Sequence, residues 1–222
     1  MSWQRLRRTG PVLCLALLSG TANAADTQSP RQVVESMQQV VLDALADSGA
    51  AMKADPERFY TLVRRELRPH FDLERAGRAI LGASWKTASE ADRHAFQQAF
   101  EDYLVTTYAM ALRHVTPATL TVTGEPRQID EAETMLPVRL VLVDGQVIEA
   151  ELRLRRSASG WQVWDAGAGG TSLVRLFRGD IGTEAAAHGV GQVVTSLRES
   201  AARNRSRDLD TARGKAAGAG SH

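Results

Sequence analysis

Five histidines could in principle do chemistry, since imidazole is both a common metal ligand and a general base near neutral pH. They are His70, His94, His114, His188 and His222. No two stand at a metal-ligand spacing, and no carboxylate cluster accompanies them, so the sequence predicts no metal centre. His70, between Pro69 and Phe71, reads as a packed or solvated side chain. Gly167-Ala168-Gly169-Gly170-Thr171-Ser172 precedes a helical pattern and has the look of a phosphate cradle. A nucleotide cradle needs a parallel strand–helix unit, which the surrounding pattern lacks, so the run reads as a strand-to-helix corner with Ser172 as N-cap. No Gly-x-Ser-x-Gly elbow occurs. Asp165, beside Trp164, is the best candidate base. As a catalyst it would need an apolar pocket to lift its pKa; otherwise it is a paired structural carboxylate. The expectation is a protein that is not an enzyme and has no cofactor.

The elements that would position these residues fall into two regimes. Ser29 and Pro30 start a first helix with an apolar stripe at Val33, Val34, Met37, Val40, Val41, Ala44 and Leu45, ended by Gly49. Asp55-Pro56 starts a second, with Phe59, Leu62 and Val63 on one face, ended by Pro69. Asp72 caps a third through Ala76 and Ile80, closed by Gly82. Ser89 with Asp92 begins a long fourth helix to about His114, carrying Phe96, Phe100, Leu104, Thr107, Tyr108 and Ala111 at helical spacing. After Pro117 the period becomes two. Residues 119–123 form one strand, Leu136 to Val143 another, and Asp144-Gly145 a hairpin turn. Ile148, Ala150, Leu152 and Leu154 then face one way, with Glu149, Glu151, Arg153 and Arg155 facing water. Ser157 to Gly160 turns into a last strand, Trp161 to Ala166. A helix with Leu173, Val174, Phe177 and Ile181 follows, although Gly179 and Gly182 each cost it about 1 kcal/mol against alanine. The final helix begins after Gly189. The class is α+β, with N-terminal helices on a curved antiparallel sheet of about four strands.

Composition sets the boundaries. Arg5, Arg7 and Arg8, the apolar run Pro11 to Leu18 and the small residues Ala22-Asn23-Ala24 read as a cleaved export signal over 1–24, with the mature chain starting at Ala25. The sole cysteine, Cys14, leaves with it, so no disulfide is expected. Three of the 27 basic residues lie in the leader, leaving 24 against 26 acidic. Residues 201–222 hold five basic and two acidic residues, so the body 25–200 has a net charge of −5. That argues against nucleic acid as a partner. The Ala/Gly/Arg-rich tail from 201 to 222 reads as disordered, and the body as one domain, a monomer.

Trp85, Phe100, Leu104, Tyr108, Val138, Leu140, Leu142, Leu152, Trp164, Leu173, Val174 and Phe177 could line a pocket or fill a core, and periodicity alone does not separate the two. A resemblance bears on the choice. The stretch from Ala54 to Leu112, with Val138–Asp144 (VRLVLVD), Trp161–Ala166 (WQVWDA), Gly170–Val174 (GTSLV) and Gly189–Leu197 (GVGQVVTSL), resembles in order the MlaC (toluene-tolerance, Ttg2) family of periplasmic phospholipid-binding proteins. The resemblance implies a cone-shaped, NTF2-like fold whose apolar cavity takes acyl chains, and it makes those twelve residues the candidate lipid pocket. It also implies a carrier that moves phospholipid between an outer-membrane lipoprotein complex and an inner-membrane ABC transporter with an MCE-domain protein. Two other readings stand beside it: a carrier of another hydrophobic molecule, such as an isoprenoid lipid, and a small-molecule enzyme of similar shape using Asp165.

Overall fold

The computed structural model describes residues 28–114, 119–142 and 145–219. The export signal, its cleavage point before Ala25, and Asp144 of the expected turn lie outside the described residues. Helix α1 spans Pro30–Ala54. Ser29 caps it, its hydroxyl accepting from Gln32 N while Gln32 Oε1 accepts from Ser29 N. The expected stop at Gly49 does not hold, because one helical glycine costs only about 1 kcal/mol. The helix ends where Asp55 precedes Pro56, which bars Asp55 from helical geometry; Asp55 is extended (φ −124°, ψ 95°) and caps α2, Pro56–Leu62. A π-helical turn, Val63–Leu67, and a 3₁₀ turn, Arg68–His70, continue α2. Helix α3, Leu73–Leu81, is capped by Asp72 and closed by Gly82 at φ +57°. A short α4, Ala83–Thr87, was not foreseen. The long α5 runs Glu90–His114 and starts, as read, with the Ser89 hydroxyl accepting from Asp92 N.

The sheet is antiparallel throughout, in the order β1 (Thr119–Val122), β3 (Glu133–Val141), β4 (Val147–Ser157), β5 (Gly160–Ala168), β6 (Thr171–Ser172), with β2 (Arg127–Gln128) also paired to β3. The two-residue strands β2 and β6 are additions to the expected four, too short to leave a periodic signal. Register puts Leu136 opposite Leu152, Val138 opposite Ala150 and Leu140 opposite Ile148, so one face is apolar as the alternation predicts. That face packs under α1: Val33 and Val34 join Leu136, Val138, Leu154, Trp161 and Val163 in one buried cluster.

Past β6 come α6 (Leu173–Phe177), a second π-helical turn (Arg178–Gly182), α7 (Thr183–His188) and α8 (Val190–Ala219). Helix α8 corrects the disordered tail expected from residue 201. Its alanines and arginines are good helix formers, and a few specific bonds anchor it. The Tyr60 hydroxyl donates to Asp208 Oδ2 at 2.7 Å in a fully buried pair. Arg205 bridges Glu57 at 3.0 Å, and Asn204 donates to Thr107 Oγ1 at 3.0 Å. A second core cluster joins α3, α5, α6 and α8 through Ile80, Phe96, Phe100, Phe177, Val193 and Leu197.

Candidate functional site

Between the arm that follows α2 and helix α5 lies an apolar groove of about 270 Å³. Val63 and Leu67 reach it from the π-helical turn, Phe71 and Leu73 from the entry to α3, Leu104, Val105 and Tyr108 from α5, and Leu173 from the start of α6. Each wall has a local cause. In the wider π turn, residues four apart fall close to one above the other, which brings Val63 and Leu67 to the same side. Phe71 is pinned to the sheet by a parallel bridge to Val163, and Asp72 N donates to Val163 O at 2.9 Å. Asp72 also caps α3 by accepting from Arg75 N, which fixes Leu73 as its first residue. Leu173 owes its position to Asp165: the buried carboxylate accepts from the Ser172 hydroxyl at 2.7 Å and from Val174 N at 3.0 Å, while Ser172 Oγ accepts from Arg175 N. Two charged residues stand at the groove among its described lining, Arg68 and Glu101, and they pair with each other at 2.9 Å. Arg64 and Asp102 form a second ion pair from the same arm to α5.

Tyr108 is 39 % exposed at this site. Its phenol pKa is raised, first because burial disfavours the phenolate and second because Tyr103 is near. The hydroxyl therefore stays neutral and tolerates the apolar walls.

The twelve sequence candidates divide. Leu104, Tyr108 and Leu173 line the groove together. Trp85, Phe100 and Phe177 are buried in the helical core, with Leu104, Leu173 and Val174 packed against it. Val138 is buried in the sheet cluster, with Leu152 against it. Leu140 is half-buried on the same sheet face, and Leu142 half-buried just past the end of β3. Trp164 stands apart: it sits at the β4/β5 register shift, its ring beneath the Arg75 and Arg153 guanidiniums at 4.9 and 5.8 Å. The sequence reading missed Val63 as a groove residue, and missed Leu67, Phe71, Leu73 and Val105 altogether. Alternation and helical spacing do not register a π turn or a pinned loop, and the stop at Pro69 and the Asp72 cap mark only that the chain turns there.

Asp165 does not face the groove. It borders a polar recess of about 500 Å³ with Glu149, Glu151, Arg153 and Arg175. Its hydrogen bonds to the Ser172 hydroxyl and Val174 N hold the start of α6. Among the described residues, no group of three or more His, Cys, Asp or Glu is placed to hold a metal ion. No described helix is long and apolar enough to cross a membrane.

Several known proteins are similar to this chain. The family model described as MlaC protein matches residues 35–199. The intermembrane phospholipid transport system binding protein MlaC of Haemophilus influenzae is 25% identical over 194 residues, which is 86% of this chain and 89% of its own. Toluene tolerance protein ttg2D of Pseudomonas putida is 24% identical over 173 residues, 77% of this chain and 79% of its own. Among solved structures, the phospholipid-binding protein of Ralstonia solanacearum in complex with a phospholipid superimposes with a TM-score of 0.62 at 24% identity. That match covers 76% of this chain and 98% of the Ralstonia chain.

Proposed function

This chain belongs to the MlaC family, and on that premise we propose that it is a phospholipid carrier whose groove shelters acyl chains from water. The observation that carries the reading is the groove itself: an apolar slot in which the two charged residues among the described lining, Arg68 and Glu101, are paired to each other. Each buried methylene contributes about 0.8 kcal/mol, so a sixteen-carbon chain left in water costs on the order of 10 kcal/mol. A lipid cannot cross an aqueous compartment at a useful rate without a protein that hides its tails. Catalysis is not needed for that task.

At about 270 Å³ the groove falls just below the range of small-ligand sites, about 300 to 1,000 Å³. Loading two tails therefore requires the arm and α6 to part, extending the slot over the half-buried sheet face at Leu140 and Leu152. The two ion pairs across this edge, Arg64–Asp102 and Arg68–Glu101, are partly solvated and cheap to separate. In this reading the exported chain works in the periplasm, between an outer-membrane lipoprotein complex and the MCE-domain protein of an inner-membrane ABC transporter.

Native mass spectrometry of protein purified from the periplasm without detergent tests both halves. A chain starting at Ala25 and carrying about one phospholipid is the expected species. Bare protein in several independent preparations would overturn the carrier reading, and a chain still holding its leader would overturn the export.

A further inference from the structure

A second recess, of about 660 Å³, lies at the other end of α3. Leu73 opens α3 on the groove and Gly82 closes it on this recess, so nine residues at 1.5 Å rise separate the two by ~13 Å. Four cations line it, Arg78, Lys86, Arg93 and Arg178, around Trp85 and Gly82. Among its described lining residues there is no carboxylate. Such a concentration is not inherited from the chain as a whole, whose body has a net charge of −5.

The cations are positioned. Arg93 Nε donates to Trp85 O at 2.8 Å and its Nη2 to Lys86 O at 3.2 Å. The Arg78 and Arg93 guanidiniums lie 5.9 and 5.7 Å from the Trp85 ring centre, which favours them electrostatically. Arg178 rests on bare backbone: a Cβ at Gly82 would come 3.3 Å from its Nη2, and Gly82 has a φ of +57° that favours glycine. Of the four, only Arg78 has an acidic partner among the described residues, Glu74 at 2.6 Å. The Lys86 ammonium and the Arg178 guanidinium make no ion pair or side-chain hydrogen bond among the described residues. Like charges held together in a concave site focus a positive potential and draw in a compact anion with several acceptor oxygens.

We propose that this recess binds an oxyanion of the phosphate class, from free phosphate or from the headgroup of an anionic phospholipid. Lys86 and Arg178 supply the uncommitted donors, and the anchored Arg78 and Arg93 supply the fixed field. The site is separate from the slot for acyl chains, so it does not depend on cargo in the groove.

Calorimetric titration of the mature chain with inorganic phosphate, in a phosphate-free zwitterionic buffer, tests it. Saturable binding should weaken at least tenfold in Lys86→Gln/Arg178→Gln. It should be unchanged in Arg203→Gln, an exposed cation on α8 next to Glu199. Lys86 and Arg178 are exposed, so the variants should fold, and circular dichroism with each single variant checks this. Flotation with phosphatidylglycerol and phosphatidylcholine vesicles separates the sources. Phosphatidylglycerol binding that phosphate competes away assigns the headgroup; phosphate binding without vesicle binding assigns the free ion. Absence of both, or binding that survives the double variant or falls equally in Arg203→Gln, would overturn the proposal.

Discussion

The helical core and the groove share two residues, Leu104 and Leu173, yet one space is filled and the other is open. On the filled side, Phe96 stacks on Phe100 with centroids 5.6 Å apart, and Phe177 meets Phe100 and Tyr103 edge-on at 5.4 and 6.1 Å. Glycines let the elements close on these rings. A Cβ at Gly77 would lie 3.0 Å from the Phe96 ring, and one at Gly182 only 2.6 Å from Ile80 O. Gly182 is therefore no simple weakness of the helix after α6: it is the point where α3 touches it. The groove side has no such closures. Val63, Leu67, Phe71 and Leu73 there hang from an arm held to α5 by ion pairs at its edge. Both regions are apolar, but rings packed on rings and bare backbone eliminate a void in one, and side chains on a separate arm leave one in the other.

The contrast makes opposite demands on substitutions in the two regions. Phe100→Ala removes a ring from a close-packed cluster and should cost about 3–5 kcal/mol of stability, with the lipid bound per folded molecule unchanged. Leu173→Glu should cost under ~1.5 kcal/mol, because the half-buried side chain can remain hydrated in an open slot, yet it should abolish lipid retention, since tails entering would strand the charge. Urea melts beside lipid quantification read both. Large destabilisation from Leu173→Glu, or lipid loss without unfolding from Phe100→Ala, would mean that the two regions are one core.

Asp165→Asn tests the joint between them. The carboxylate holds the Ser172 hydroxyl and Val174 N, and so aims Leu173 at the groove and Phe177 at the core. Loss of charge-assisted bonds of this kind costs about 1.5–3 kcal/mol. Lipid stoichiometry should persist, because the amide oxygen still accepts from Val174 N. Turnover of an ester or isomerisable ketone by the wild type, lost in Asp165→Asn, would restore the enzyme reading.

Which parts of this were legible in the sequence follows from the range of the interactions. The caps Ser29, Asp55, Asp72, Ser89 and Ser172 act within three residues, and each was readable. The long strands were readable because alternation is local. The order of α8 was not, since the Tyr60–Asp208 bond that anchors it joins residues 148 apart. The groove was only partly legible. Leu104 and Leu173 sit on periodic faces, as does Val63, but nothing local places Val63 and Leu67 beside Phe71, which a bridge to β5 holds there. Phe100, Phe177 and Trp85 carry the same apolar signal as the groove residues, and only their packing separates them.

Tyr108 gives the finest test, at the edge where the groove meets water. Its phenol pKa is raised by burial and then by Tyr103, so the folded protein favours the neutral form more than the unfolded chain does. For a tyrosine the deprotonated form carries the charge. The stability tied to this group is therefore fully present below the ordinary tyrosine value of about 10 and is lost as pH rises through the higher folded value. An absorbance titration of the wild type should contain a phenolate component above the ordinary range that is missing from Tyr108→Phe. That variant should also unfold less readily than the wild type at strongly alkaline pH and equally at neutral pH. Lipid in the groove should push the component higher still, since acyl chains against the ring remove more water from the phenolate. A component that stays put when lipid is stripped would mean that Tyr108 borders no cargo, and would confine the slot to the deeper wall at Leu67, Leu104 and Leu173.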